Sequence, residues 1–132
     1  MKSGDPCICC SGKTFSECCE PFLSYWAEPK TPKQLVRSRY AAYALGKHTE
    51  YLIKTWHPHT ARSISIADLD MPETRWKGLE IMETRQKGDI GIVEFKAVFS
   101  TQDGPDETHH ERSVFHRLNG KWLYLEGEAS VQ

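Results

Sequence analysis

Between Thr31 and Gly46 the apolar positions Leu35, Val36, Tyr40, Tyr43 and Ala44 recur at helical spacing. Thr31 is a natural N-cap, Pro32 suits the first helical position, Gln34 completes a capping box, and Gly46 fits a stop. A second helix is expected from Thr49 through Trp56, burying Tyr51, Leu52 and Trp56. His57-Pro58 ends it, because the residue before a proline avoids the helical region. Residues 60–72 are ambiguous and lean towards a short third helix ending before Pro72. The period then changes to two. Strands are predicted at 76–86, 90–100, 107–118 and 121–127. Lys87-Gly88-Asp89 makes one tight turn, Asp103-Gly104-Pro105-Asp106 a longer loop, and Asn119-Gly120 a type I′ hairpin. Val93, Phe95, Ala97 and Phe99 share a face opposite Ile92, Glu94 and Lys96. Glu111, Ser113 and Phe115 share another, and so do Trp122, Tyr124 and Glu126. Helices first and an antiparallel meander after them predict an α+β roll with the sheet curled around the helices.

The chain's 132 residues leave room for one compact domain and a small appendage. Net charge is -1, so no global basic field draws in nucleic acid. No apolar run approaches the roughly 20 residues that cross a bilayer. The start, Met1-Lys2-Ser3-Gly4-Asp5-Pro6, lacks the apolar core of a signal peptide. A cytoplasmic, reducing compartment and no membrane partner are the expectations.

All five cysteines fall in the first nineteen residues, with Cys7-x-Cys9 separated by eight residues from Cys18-Cys19. An odd, crowded set is a poor disulfide framework. Two close pairs across a polar turn at Ser11-Gly12-Lys13 suit a tetrahedral four-thiolate site, with Zn²⁺ as the expected cofactor and Cys7, Cys9, Cys18 and Cys19 as its ligands. Residues 1–24 read as a knuckle too short to fold without a metal, and residues 25–132 as the α+β domain.

These motifs carry a resemblance. Cys7-Ile8-Cys9, Ser11-Gly12-Lys13 and Cys18-Cys19 resemble the SEC-C motif, the zinc knuckle also found at the tail of the translocation motor SecA. The segments 37–43 and 51–58, Glu111-Arg112-Ser113-Val114-Phe115, and Asn119-Gly120-Lys121-Trp122 resemble the YchJ family. The resemblance implies a nuclear-transport-factor-2-like (cystatin-like) roll for residues 25–132. Such rolls often pair through their sheets, which makes a homodimer an expectation. In SecA the similar knuckle docks a chaperone, so a protein partner is implied, alongside the alternative of a metal staple that merely orders the N-terminus. Cys10 stands where the SEC-C pattern usually has glycine and supplies a fifth thiol as a competing ligand.

A different class of function is carried by the inner side of the roll. Arg37, Arg39, Tyr40, Trp56, Glu111, Ser113, Trp122, Tyr124 and Glu126 are the candidate pocket residues for a small ligand or for acid–base chemistry. The structural alternative pairs Glu111 with Arg37 or Arg39 in a closed polar network. An open cavity with an unpaired carboxylate favours a ligand site or enzyme; a closed, fully paired interior favours a non-catalytic adaptor. His57, His59, His109, His110 and His116 are read as surface or hydrogen-bonded residues, since His109 and His110 point to opposite sheet faces. The basic, aromatic stretch from Tyr25 to Tyr43 interleaves charge and rings, but Tyr40 and Tyr43 lie on the apolar helical stripe, and nucleic acid is not the expected partner.

Overall fold

The computed structural model describes residues 1–62, 69, 71 and 73–131. A 3₁₀ turn at Phe15–Glu17 and a one-turn helix α1 (Glu20–Leu23) belong to the N-terminal knuckle. They are followed by α2 (Pro32–Leu45), α3 (Thr49–Lys54), α4 (Pro58–Ala61) and four strands: β1 (Thr74–Lys87), β2 (Ile90–Thr101), β3 (Glu107–Leu118) and β4 (Lys121–Val131). The expectation for 60–72 lies mostly outside the described residues. The second helix is shorter than its apolar pattern suggested: it stops at Lys54, and Trp56 instead bridges to Tyr124 of β4.

α2 forms where its signals are strongest. The Thr31 side chain accepts a hydrogen bond from the Gln34 amide at 3.1 Å, Pro32 opens the first turn, and Gly46 closes the helix at φ 71°. Its face Leu35, Val36, Tyr40 and Ala41 is buried against the sheet, where Val93 and Ala97 of β2 and Phe115 of β3 complete the core. The strands form one antiparallel meander in the order β1-β2-β3-β4. β1, on the rim, carries register irregularities between Trp76 and Gly78 and between Ile81 and Glu83.

The β3–β4 hairpin turns at Asn119 and Gly120, at φ 53° and 81°, as a type I′ turn requires. Leu118 pairs with Lys121 and His116 with Leu123, the register that a two-residue turn sets. Farther along, the pairing slips. Phe115 faces Tyr124 but Val114 faces Glu126, so Leu125 is an extra residue and the alternation of β4 inverts beyond it. The segment leaving α3 holds this bulge. The Tyr124 amide donates to the Thr55 carbonyl and the His57 amide to the Tyr124 carbonyl, both at 2.7 Å, and the Thr60 hydroxyl donates to the Leu125 carbonyl at 3.0 Å.

Candidate functional site

Two places gather chemistry. The first is the knuckle. A short backbone ribbon forms as the Cys7 amide donates to the Lys13 carbonyl and the Phe15 amide to the Asp5 carbonyl, each at 2.8 Å. It brings Cys7 and Cys9 to one side, while the 3₁₀ turn and the start of α1 present Cys18 and Cys19 from the other. The four Sγ atoms all lie within 4.8 Å of one another, with Cys9 to Cys18 at 3.5 Å and Cys18 to Cys19 at 3.9 Å. A tetrahedral ion with Zn–S bonds of about 2.3 Å needs sulfur separations of about 3.8 Å. The set therefore fits a metal ion, and it is the group of that kind among the described residues.

The four thiols also crowd one another closely enough to share protons. Hydrogen bonds from Cys19 and Cys7 push Cys9 far down, and donating to Cys7 and Cys9 pushes Cys19 far up. Packed thiols cannot all ionise together unless a cation joins them. Cys10 sits apart: it is exposed, takes the left-handed φ of 66° that favours glycine, and hydrogen-bonds its thiol to the Ile8 carbonyl at 3.6 Å. Arg37 fastens the knuckle to α2, its Nη1 donating to the Cys9 carbonyl at 2.8 Å and reaching the Cys9 sulfur at 3.8 Å. Between the knuckle and α2 runs a groove of about 340 Å³ whose wall includes Lys13, Lys33 and Arg37 against the single acid Glu17.

The second place is a cavity of about 420 Å³ inside the roll. Of the nine pocket residues expected from the sequence, Arg39, Tyr40, Trp56, Glu111, Ser113 and Tyr124 line it. Three do not. Arg37 is turned to the knuckle, because residues two apart on a helix diverge by about 200°. Trp122 is buried under the start of α2, donating to the Lys30 carbonyl at 3.2 Å with Arg117 over its ring at 5.0 Å. Glu126 is exposed, because the bulge at Leu125 reverses its side of the sheet and puts Gly127 opposite Ser113 instead.

The partner of Glu111 also differs from the expectation. No arginine forms an ion pair with it among the described residues. His109 Nε2 lies 2.8 Å from one carboxylate oxygen, while the hydroxyls of Ser113 and Tyr124 donate to the other, Tyr124 from 3.2 Å. Burial by itself would raise the Glu111 carboxyl, but His109, Ser113 and Tyr124 outweigh it and hold the group below the ordinary carboxylate range. The same carboxylate adds to the burial that pushes the Tyr124 phenol up. Arg39 is buried beside this network. Its Nη1 donates to the Leu52 carbonyl at 2.8 Å and the Thr55 hydroxyl at 2.7 Å, and its guanidinium carbon stands 4.8 Å from the Trp56 ring and 4.9 Å from the Tyr124 ring.

The cavity thus combines an open interior with a paired carboxylate. His109, Tyr43, Trp76, Phe95 and Phe99 also line it and were not among the expected pocket residues. His109 was legible in principle, since it shares strand parity with Glu111 and Ser113. His110 takes the opposite face and pairs with Glu94 at 2.7 Å. The rings of His57 and His116 approach to 5.9 Å, yet the four cysteines alone among the described residues have metal-site geometry. No helix of the described residues is long and apolar enough to cross a membrane.

Comparison with known proteins bears on both places. Residues 31–127 match the family described as YchJ, middle NTF2-like domain, and residues 5–21 match the SEC-C motif. The chain is 41% identical over 131 residues to a UPF0225 protein of Sodalis glossinidius, covering 96% of this chain and 84% of the relative. A SEC-C motif containing protein of Rhodopseudomonas palustris, solved in solution, superposes with a TM-score of 0.88 at 39% identity, over 94% of this chain and 98% of that one. The crystal structure of a SEC-C motif containing protein from Psychrobacter arcticus gives 0.81 at 29% identity, over 98% and 85%.

Proposed function

For a chain that belongs to the YchJ (UPF0225) family and carries a SEC-C motif, we propose the role of a zinc-binding, non-catalytic adaptor of the reducing cytoplasm. Cys7, Cys9, Cys18 and Cys19 hold one Zn²⁺, and the knuckle so ordered recruits a protein partner through the charged groove beside it. The observation that carries the reading is the cluster of four sulfurs within 4.8 Å of one another, set beside a groove lined by Lys13, Glu17, Lys33 and Arg37 as well as by Cys18 and Cys19. A four-thiolate ion leaves no open coordination position, which suits recognition rather than zinc catalysis. Arg37 supports it further by making the knuckle and α2 one rigid wall of that groove.

The test is affinity capture from the host lysate with the full zinc-loaded chain, with Lys13→Glu/Lys33→Glu, and with Cys18→Ser. A specific partner retained by the wild type and lost from both variants supports the proposal. A set of captured proteins unchanged by charge reversal and by loss of the metal overturns it.

A further inference from the structure

We propose that the cavity of the roll binds a small organic monoanion, a carboxylate carried on an aromatic or branched apolar body, and that Arg39 is the group that receives it. At about 420 Å³ the cavity lies in the range of small-molecule sites. Its wall is mostly rings, among them Trp56, Trp76, Phe95 and Phe99, which suit an apolar or planar body.

Arg39 sets the charge of the ligand. The residue is only 6% exposed, yet it contributes to the cavity wall. Its Nη1 is committed to Leu52 and Thr55, two neutral acceptors that lie outside the cavity lining. A guanidinium carries five N–H donors in a planar fork, so even with Tyr43 also beside it donors remain for the cavity. Among the described residues no carboxylate comes within ion-pair distance of it. Burial lowers its hold on the proton, and the fields of Tyr43, Tyr124, Tyr51 and Glu111 offset that only in part. A carboxylate matches the fork with charge-assisted hydrogen bonds that are strongest away from water.

Glu111 does not compete for this role. Its oxygens are engaged by His109, Ser113 and Tyr124. An ammonium ligand would have to share the cavity with the Arg39 cation and displace one of those donors. A neutral body would leave the guanidinium without a counter-charge. A multiply charged phosphate would meet Glu111 in the same space. One negative charge on an apolar body fits best.

The experiment uses the full zinc-loaded chain and follows the tryptophan indole NMR signals. The probes are benzoate, phenylacetate and 3-methylbutanoate, set against benzamide and benzylammonium. Saturable binding of at least one carboxylate is expected, about tenfold or more tighter than benzamide, which corresponds to about 1.4 kcal/mol. Arg39→Gln should remove that preference, and Arg39→Lys should weaken binding while keeping it. Because Arg39 also ties α2 to α3, the wild-type panel decides the matter even if a variant does not fold. Benzamide or benzylammonium binding as tightly as every carboxylate, no saturation by any carboxylate up to about 10 mM, or unchanged carboxylate binding in folded Arg39→Gln overturns the proposal.

Discussion

Gly127 lies against Glu111 so closely that any side chain on it would overlap the carboxylate, and it would come within 2.8 Å of the Tyr124 hydroxyl. Space for the buried acid is created by the absence of a methyl group on the neighbouring strand. Gly127→Ala should therefore destabilise the fold by about 1–3 kcal/mol, the usual cost of overfilling a packed interior. In Gly127→Ala/Glu111→Ala much of that loss should disappear, because the clash is removed from the other side. Urea unfolding of the four chains of this cycle measures the coupling. Additive losses would show that the two residues do not meet.

The carboxyl of Glu111 is held below its ordinary value of 4.5. A depressed carboxylate contributes stability that is complete above the unfolded value and is lost as pH falls through the folded one. The stability advantage of the wild type over Glu111→Gln should thus be full at neutral pH and shrink below about pH 4.5. Denaturant titrations of both chains at pH 7, 5, 4 and 3 give the difference directly. A Gln variant as stable as the wild type at neutral pH would remove the network's structural role.

Metal content follows from the four sulfurs. One zinc per chain is expected in the wild type and in Cys10→Ser, and none retained in Cys18→Ser. Cys7, Cys9, Phe15, Cys19 and Leu23 join the same buried cluster as Leu35 and Tyr51. Loss of the ion should then lower the melting temperature as well as broaden the signals of residues 5–23. Elemental analysis with amide NMR reports both effects, and zinc lost only from Cys10→Ser would overturn the ligand assignment.

At the hairpin, Gly120 stands at φ 81° with open space around its missing side chain. Gly120→Val should cost about 1–2 kcal/mol through backbone strain alone, since a β-branched residue resists the left-handed region. An unchanged unfolding midpoint would contradict the turn.

Local signals were legible from the residues; long-range ones were not. The cap at Thr31, the stop at Gly46 and the turn at Asn119-Gly120 each act within four residues, and the structure shows them where the pattern put them. Parity correctly placed Glu111, Ser113 and Tyr124 on the cavity face. It failed at Glu126, because the Leu125 bulge depends on Thr55, His57 and Thr60, some seventy residues earlier, binding the backbone of β4. Assigning Arg37 to the cavity overlooked a local rule, the opposed directions of positions 37 and 39 on one helix. The partner of Glu111 was misjudged for a related reason. Short-range donors on the sheet itself, His109 and Ser113, satisfy the acid before any helix needs to reach it.

The long rim strand β1 bears on colloidal behaviour. Among the described residues no strand pairs with the outer edge of these fourteen, and such an edge would ordinarily template the addition of further strands and seed aggregates. Here the two register irregularities distort the rim, and Arg75, Lys77, Glu83, Arg85 and Lys87 stud it with charge, four of them in ion pairs: Arg75 with Asp103, Lys77 with Asp106, and Arg85 with Glu83. At the opposite edge, Thr55 to Thr60 already occupy the backbone of β4 beside Tyr124 and Leu125. The sheet is thereby guarded at both margins against growing into a fibril.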